Sequence, residues 1–113
     1  MPRLLPPAIL ACCLALAACG QEPRTREVTV ANLVAGSNHF IGSRVSTQGV
    51  VHSFPQPLHY WLEDDNLNRV GLVPEALVAE LEGARVRVTG TFRFAPARGR
   101  LIDVEHLEVL AAP

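Results

Sequence analysis

The sequence predicts an all-β domain, a small β-barrel, on three observations. Ala84 to Phe94, "ARVRVTGTFRF", alternates without a break: Val86, Val88, Gly90, Phe92 and Phe94 fall on one side, and Arg85, Arg87, Thr89, Thr91 and Arg93 on the other. That two-residue period is the mark of a strand with one face in a core and one in water. Four more short segments rich in β-branched and aromatic residues are separated by proline, glycine, aspartate and asparagine, the punctuation between strands. One segment between the third and fourth of these strands, "PEALVAEL", carries helical spacing instead.

The elements follow in order. Gln21 to Glu27 is polar, with Pro23 and two arginines, and reads as a short tether. Val28 to Ala35 fits either a short helix or a lead-in strand, and Asn38 to Ser43, with Gly42, a turn. Arg44 to Phe54, "RVSTQGVVHSF", is the first long strand, with Val45, Thr47, Gly49 and Val51 on one side. A glycine inside a strand marks a bend or bulge. Pro55 and Pro57 end this strand. Leu58 to Asp64, "LHYWLED", is the second, Asp65-Asn66 a turn, and Leu67 to Val73, "LNRVGLV", the third. Pro74 to Leu81 is expected to be helical: proline in the first turn, an early Glu75, Leu77, Val78 and Leu81 on one face, and Gly83 as the cap. After Ala84 to Phe94, "APARGR" is a loop, and Leu101 to Leu110, "LIDVEHLEVL", is the fifth strand, with Ile102 and Val104 inward.

Three strands, a short helix and two strands is the layout of the OB-fold, a five-stranded Greek-key barrel with one short helix between strands three and four. The chain also resembles bacterial OB domains in detail. "FIGSRVSTQGVV" (Phe40 to Val51) and "LEGARVRVTGTF" (Leu81 to Phe92) are each similar to the G-x-x-V-x-V-x-G phrase that opens strands one and four there, with Thr47 in place of the second valine of the first copy. The likeness runs from Leu33 to Leu110. Physically, the first glycine ends a turn, the valines fill the barrel, and the second glycine lets the strand bend. Another small barrel or a β-sandwich is the alternative.

The amino terminus has a separate character. Leu4 to Ala18 is apolar apart from its prolines and follows Arg3. A helix of that length reaches only about 22 Å, short of a hydrocarbon core of about 30 Å, and Pro6 and Pro7 spoil its first turns. A basic start, a short apolar run and small residues at its end are the layout of a secretory signal peptide. Leu16-Ala17-Ala18-Cys19 resembles the bacterial lipobox. The resemblance implies cleavage before Cys19 and a diacylglycerol on its thiol, hence residues 1–18 as signal peptide, 19–27 as lipidated tether and 28–113 as the domain. Two or three acyl chains make a stable anchor, one does not. Gly20 stands where the enterobacterial inner-membrane pattern has aspartate, which favours the periplasmic side of the outer membrane. An ordinary signal peptide with a coincidental cysteine is the plain alternative.

Composition limits the chemistry. Cys12 and Cys13 precede the cleavage point and Cys19 is taken by lipid, so the domain has no thiol for a disulfide, zinc or nucleophilic catalysis. Ten basic residues, all arginine, face eleven acids, a poor footprint for generic nucleic-acid binding. Ser37, Ser43, Ser46 and Ser53 sit in no elbow or triad phrase, and no phosphate loop is present. Nothing in the sequence supports an enzyme or calls for a cofactor.

OB-folds bind on the face of their second and third strands, flanked by two loops. Carried over to this chain, that surface holds Phe54, His59, Tyr60, Trp61, Arg69, Arg98 and Arg100. Of Tyr60 and Trp61 one points in and the other out, and the plain reading puts Trp61 in the barrel and Tyr60 at its surface. If Ser53 pairs with Leu58, His52 faces His59, with Cβ atoms about 5 Å apart, a weak candidate pair for a metal. His39 and His106 have no helpful spacing. Glu63-Asp64-Asp65 lacks the spacing of a calcium loop and reads as a solvated turn. The expected role is a lipid-anchored, non-catalytic module holding an envelope protein, peptide or glycan. Oligonucleotide binding and a small-ligand or metal-linked stress role are the alternatives.

Overall fold

The computed structural model describes residues 24–113; Cys19 and the apolar run before it lie outside the described residues. Six strands, β1 (Arg26–Glu27), β2 (Arg44–Pro55), β3 (Leu58–Glu63), β4 (Arg69–Val73), β5 (Arg85–Ala95) and β6 (Gly99–Ala111), and one helix, α1 (Val30–Ala35), make up the domain. The strands form a single sheet in the order β1-β2-β3-β4-β6-β5, and a further β2–β5 pairing turns it back on itself as a barrel-like ring. All ring pairings are antiparallel except β4 with β6, which is parallel and only three residue pairs long.

The inner wall follows the two-residue period. Val45, Thr47 and Val51 point in from β2, Leu62 from β3, Val70 and Leu72 from β4, Val86, Val88 and Phe92 from β5, and Ile102 and Val104 from β6. The two glycines inside strands mark where backbones crowd. A Cβ on Gly49 would lie 2.7 Å from the Glu63 carbonyl oxygen, and one on Gly90 only 1.9 Å from that of Asp103. Next to Gly90, β6 carries an extra residue, Glu105: the register passes from Thr89 opposite His106 to Gly90 opposite Val104. A bulge of this kind bends the strand and adds twist.

Val28 to Ala35 resolves as helix from Val30. Thr29 is extended and its Oγ1 accepts the Asn32 N–H at 3.0 Å, a regular N-cap. Val30 and Leu33, three apart on one face, are buried in the core. The sheet begins earlier than expected: Arg26 and Glu27, read as tether, pair in parallel with Val45 and Ser46.

Three expectations are overturned. Pro74 to Leu81 is not an α-helix but a 3-10 turn over Glu75–Leu77 followed by further turns. Its end is tied to β2 instead: Gly83 N–H donates to the Val51 carbonyl at 2.8 Å and Val51 N–H to that of Ala84 at 3.0 Å. Val78 is buried, but Leu77 is 46% exposed, so no helical face forms. Phe94 is 52% exposed rather than inward, because pairing of β5 with β2 stops at Thr91 and the hairpin with β6 runs on past the ring. Tyr60, not Trp61, enters the core: it is 8% exposed. Tyr60 shares parity with Leu62, and the fully buried leucine decides which side of β3 is inside.

Candidate functional site

The outer face of β2, β3 and β4 is where polar and aromatic side chains gather, and strand parity selects them. With Val51, Leu62 and Val70 inward, His52 and Phe54 of β2, His59, Trp61 and Glu63 of β3, and Arg69 and Gly71 of β4 all face out. Pro55 pairs with Leu58 around a turn of two residues, Gln56-Pro57. That register sets His52 opposite Trp61 and Phe54 opposite His59. The expected His52–His59 apposition is therefore corrected: it rested on a register two residues off, and Trp61 stands between the two imidazoles. Among the described residues no group of three or more His, Cys, Asp or Glu is placed to hold a metal.

Trp61 is the centre. Its Nε1–H donates to Glu63 Oε1 at 2.8 Å, and Arg69 Nε lies 3.1 Å from the same oxygen. The guanidinium of Arg69 sits over the indole, 4.7 Å from the ring centroid, a cation–π contact. The His52 ring lies 6.0 Å away and 12° from parallel, and the His59 ring 5.3 Å away and tilted by 33°. The Glu63 side chain is 11% exposed, with His52 Nε2 3.8 Å from its second oxygen. One carboxylate thus fixes the orientation of both the indole and the guanidinium. Phe54 lies at the margin, its ring 6.1 Å from that of His59. His59 Nδ1 is 2.7 Å from the Pro57 carbonyl oxygen. A carbonyl only accepts, so Nδ1 carries the proton and Nε2 is left for another partner.

Gly71 is the residue opposite Trp61, and its bare backbone lets β6 approach: a Cβ there would lie 3.2 Å from the Arg100 carbonyl oxygen and 3.3 Å from Leu101 Cβ. The result is an open hollow of about 240 Å³ lined by His59, Trp61, Arg69, Arg98, Arg100 and the two glycines, Gly71 and Gly99. A second hollow of about 450 Å³, bounded by Pro57, Leu58, Glu75 and Ala97, shares His59 and Arg98 with the first, so the two form one groove. Arg98 has a loose ionic neighbour, Glu75, at 3.8 Å. Arg100 Nε donates to Ser37 Oγ at 2.6 Å, and that hydroxyl donates on to the Leu33 carbonyl at 2.8 Å.

Of the residues expected on this face, His59, Trp61, Arg69, Arg98 and Arg100 meet in the groove, Phe54 borders it, and Tyr60 lies behind it in the core. Sequence reasoning missed Glu63, which it grouped with the turn. The signal was present: Trp61 and Glu63 are two apart on a strand and so share a face. Asp64 and Asp65 belong to the turn, and Asp64 organises it. Its Oδ1 accepts the N–H groups of Asn66 and Asn68, and its Oδ2 the Asn68 side-chain amide. The Asn68 amide is the main cause that holds the Asp64 carboxyl below its ordinary range.

No protein-family profile and no curated protein matches the chain. Among solved structures it is similar to a chain described as an aspartyl-tRNA synthetase from Leishmania major Friedlin, at 11% identity and a TM-score of 0.57. The similarity covers 91% of this chain and 24% of that one. At such identity it is a likeness of fold, and this chain spans about a quarter of the length of the protein it matches.

Proposed function

We propose that this is a lipid-anchored OB-fold module of the bacterial envelope, held by Cys19 on the periplasmic side of the outer membrane. It binds an envelope protein, peptide or glycan on its barrel face without catalysing a reaction. The ring of strands and the paired G-x-x-V-x-V-x-G phrases support the OB-fold, and the lipobox supports the anchor. The observation that carries the binding role is Glu63, which orients Trp61 and Arg69 on a face where aromatic, imidazole and guanidinium groups collect.

The test is co-purification of the tagged full-length protein from gently crosslinked envelopes of its own bacterium, beside a Trp61→Ala, Arg98→Ala variant. A partner held by the parent and lost by the variant is the expected result. Identical recovery from both would remove the face from the reading. The mass of the amino-terminal peptide reports lipid on Cys19 in the same preparation.

A further inference from the structure

We infer that the ligand of this groove is an acidic glycan, a chain of sugars that carry carboxylates. The inference rests on the reading of this face as the binding surface and adds the chemistry of what binds there.

Charge comes first. Acids outnumber arginines over the whole chain, yet the inner hollow is lined by Arg69, Arg98 and Arg100 and by no carboxylate. Glu63 neutralises part of Arg69 from below but does not line the hollow. Guanidinium groups match carboxylate oxygens in pairs of parallel hydrogen bonds. In the outer hollow Glu75 lies 3.8 Å from Arg98 and offsets part of its charge. Arg69, Arg98 and Arg100 against that one lining carboxylate leave the groove cationic, opposite in sign to the molecule as a whole, and suited to an anionic ligand.

The carrier of the anion follows from what the face lacks. An extended peptide commonly docks by adding a strand to an open sheet edge. Here β3 is paired on both sides, by β2 and β4, and β4 by β3 and β6, so the groove offers no free edge. Single-stranded nucleic acid needs open aromatic faces on which bases stack. The indole of Trp61 is already covered by the Arg69 guanidinium and flanked by His52 and His59. What remains is the single open ring of Phe54 at the margin, too little for a run of stacked bases, with ring edges, an imidazole nitrogen on His59 and the half-buried backbone at Gly71 and Gly99. These suit hydroxyls and ring C–H groups rather than flat bases.

The test uses full-length protein in neutral detergent and the emission of Trp61, the single tryptophan of the chain. It is titrated with a hyaluronan hexasaccharide, whose alternate sugars carry carboxylates, and with neutral chitohexaose. A short oligothymidylate and oligoglutamate serve as polyanions without sugar rings of that kind. Saturable binding of the hyaluronan fragment is expected, about tenfold or more tighter than chitohexaose and weakened about tenfold by Arg98→Gln with Arg100→Gln. The thermal transition of that double variant reports its fold, and Arg98→Gln alone, which leaves the Arg100–Ser37 bond in place, gives the same direction of change. Equal affinity for chitohexaose, no saturable response to hyaluronan, or tighter binding of either other polyanion would overturn the inference. Capture of an envelope partner through Trp61 by a protein that ignores hyaluronan would overturn this inference alone. Loss of both would remove the binding face itself.

Discussion

Thr47 points into the barrel with its hydroxyl buried and no hydrogen-bond partner among the described residues. It stands where the repeated phrase has valine in its other copy, Val88. Valine is nearly the same shape and leaves nothing polar to satisfy. Thr47→Val is expected to stabilise the fold by about 1 kcal/mol, the desolvation cost of a stranded hydroxyl, seen as a higher urea midpoint with an unchanged slope. Glu63 is the opposite case, a largely covered carboxylate with two partners. Glu63→Ala would leave the Trp61 N–H and the Arg69 guanidinium without their acceptor. A loss of about 1–3 kcal/mol is expected, together with a red-shifted, less polarised Trp61 emission as the indole is freed. An unchanged spectrum would show that the indole is held by its ring contacts alone.

At the scale of elements, the turn between β3 and β4 hangs on Asp64. Its carboxyl is held below the ordinary range, first by the Asn68 side chain, against a burial cost, with the backbone N–H groups of Asn68 and Asn66 adding to the pull. A depressed acid stabilises the fold above its unfolded value, about 3.9, and that contribution is lost as pH falls through the lower folded value. Asp64→Asn should therefore cost stability at neutral pH and little near pH 2, which flattens the acid limb of the stability curve, as thermal unfolding from pH 2 to 7 will show. The sequence made the strands legible because alternation is local: Val86 to Phe92 and Val45 to Val51 state their own inner faces. It misread elements whose fate is set by distant partners. "PEALVAEL" has helical spacing, but Gly83 and Ala84 are claimed by backbone bonds to Val51. Phe94 keeps the parity of a core residue, but its strand has by then left the ring. The site was half legible for the same reason. Parity alone puts His59, Trp61 and Glu63 together, whereas the inward choice of Tyr60 depends on Leu62, and the His52–Trp61 pairing on the length of one turn.

For the whole molecule, the ring of strands has its shortest seam between β4 and β6, three residue pairs in parallel. Short parallel pairing is a weak place to close a sheet, so side-chain packing near it matters more than elsewhere. Helix α1 supplies part of that packing: it lies against β4 and β2, and Leu33 is wholly buried among the core residues. The helix is six residues long, too short to be stable alone, so what it contributes comes through Val30 and Leu33 rather than through its own hydrogen bonds. Leu33→Ala is expected to cost about 2–5 kcal/mol, a large share of the roughly 5–15 kcal/mol that holds a domain folded. Chemical denaturation measures the loss directly. Hydrogen exchange locates it: amides bonded across the three-pair seam between β4 and β6 should lose protection before those of the seven-pair β2–β5 and eleven-pair β5–β6 ladders. A loss below about 1 kcal/mol, within the range of a surface change, would mean that the strands close the barrel unaided and that α1 is only a lead-in to it.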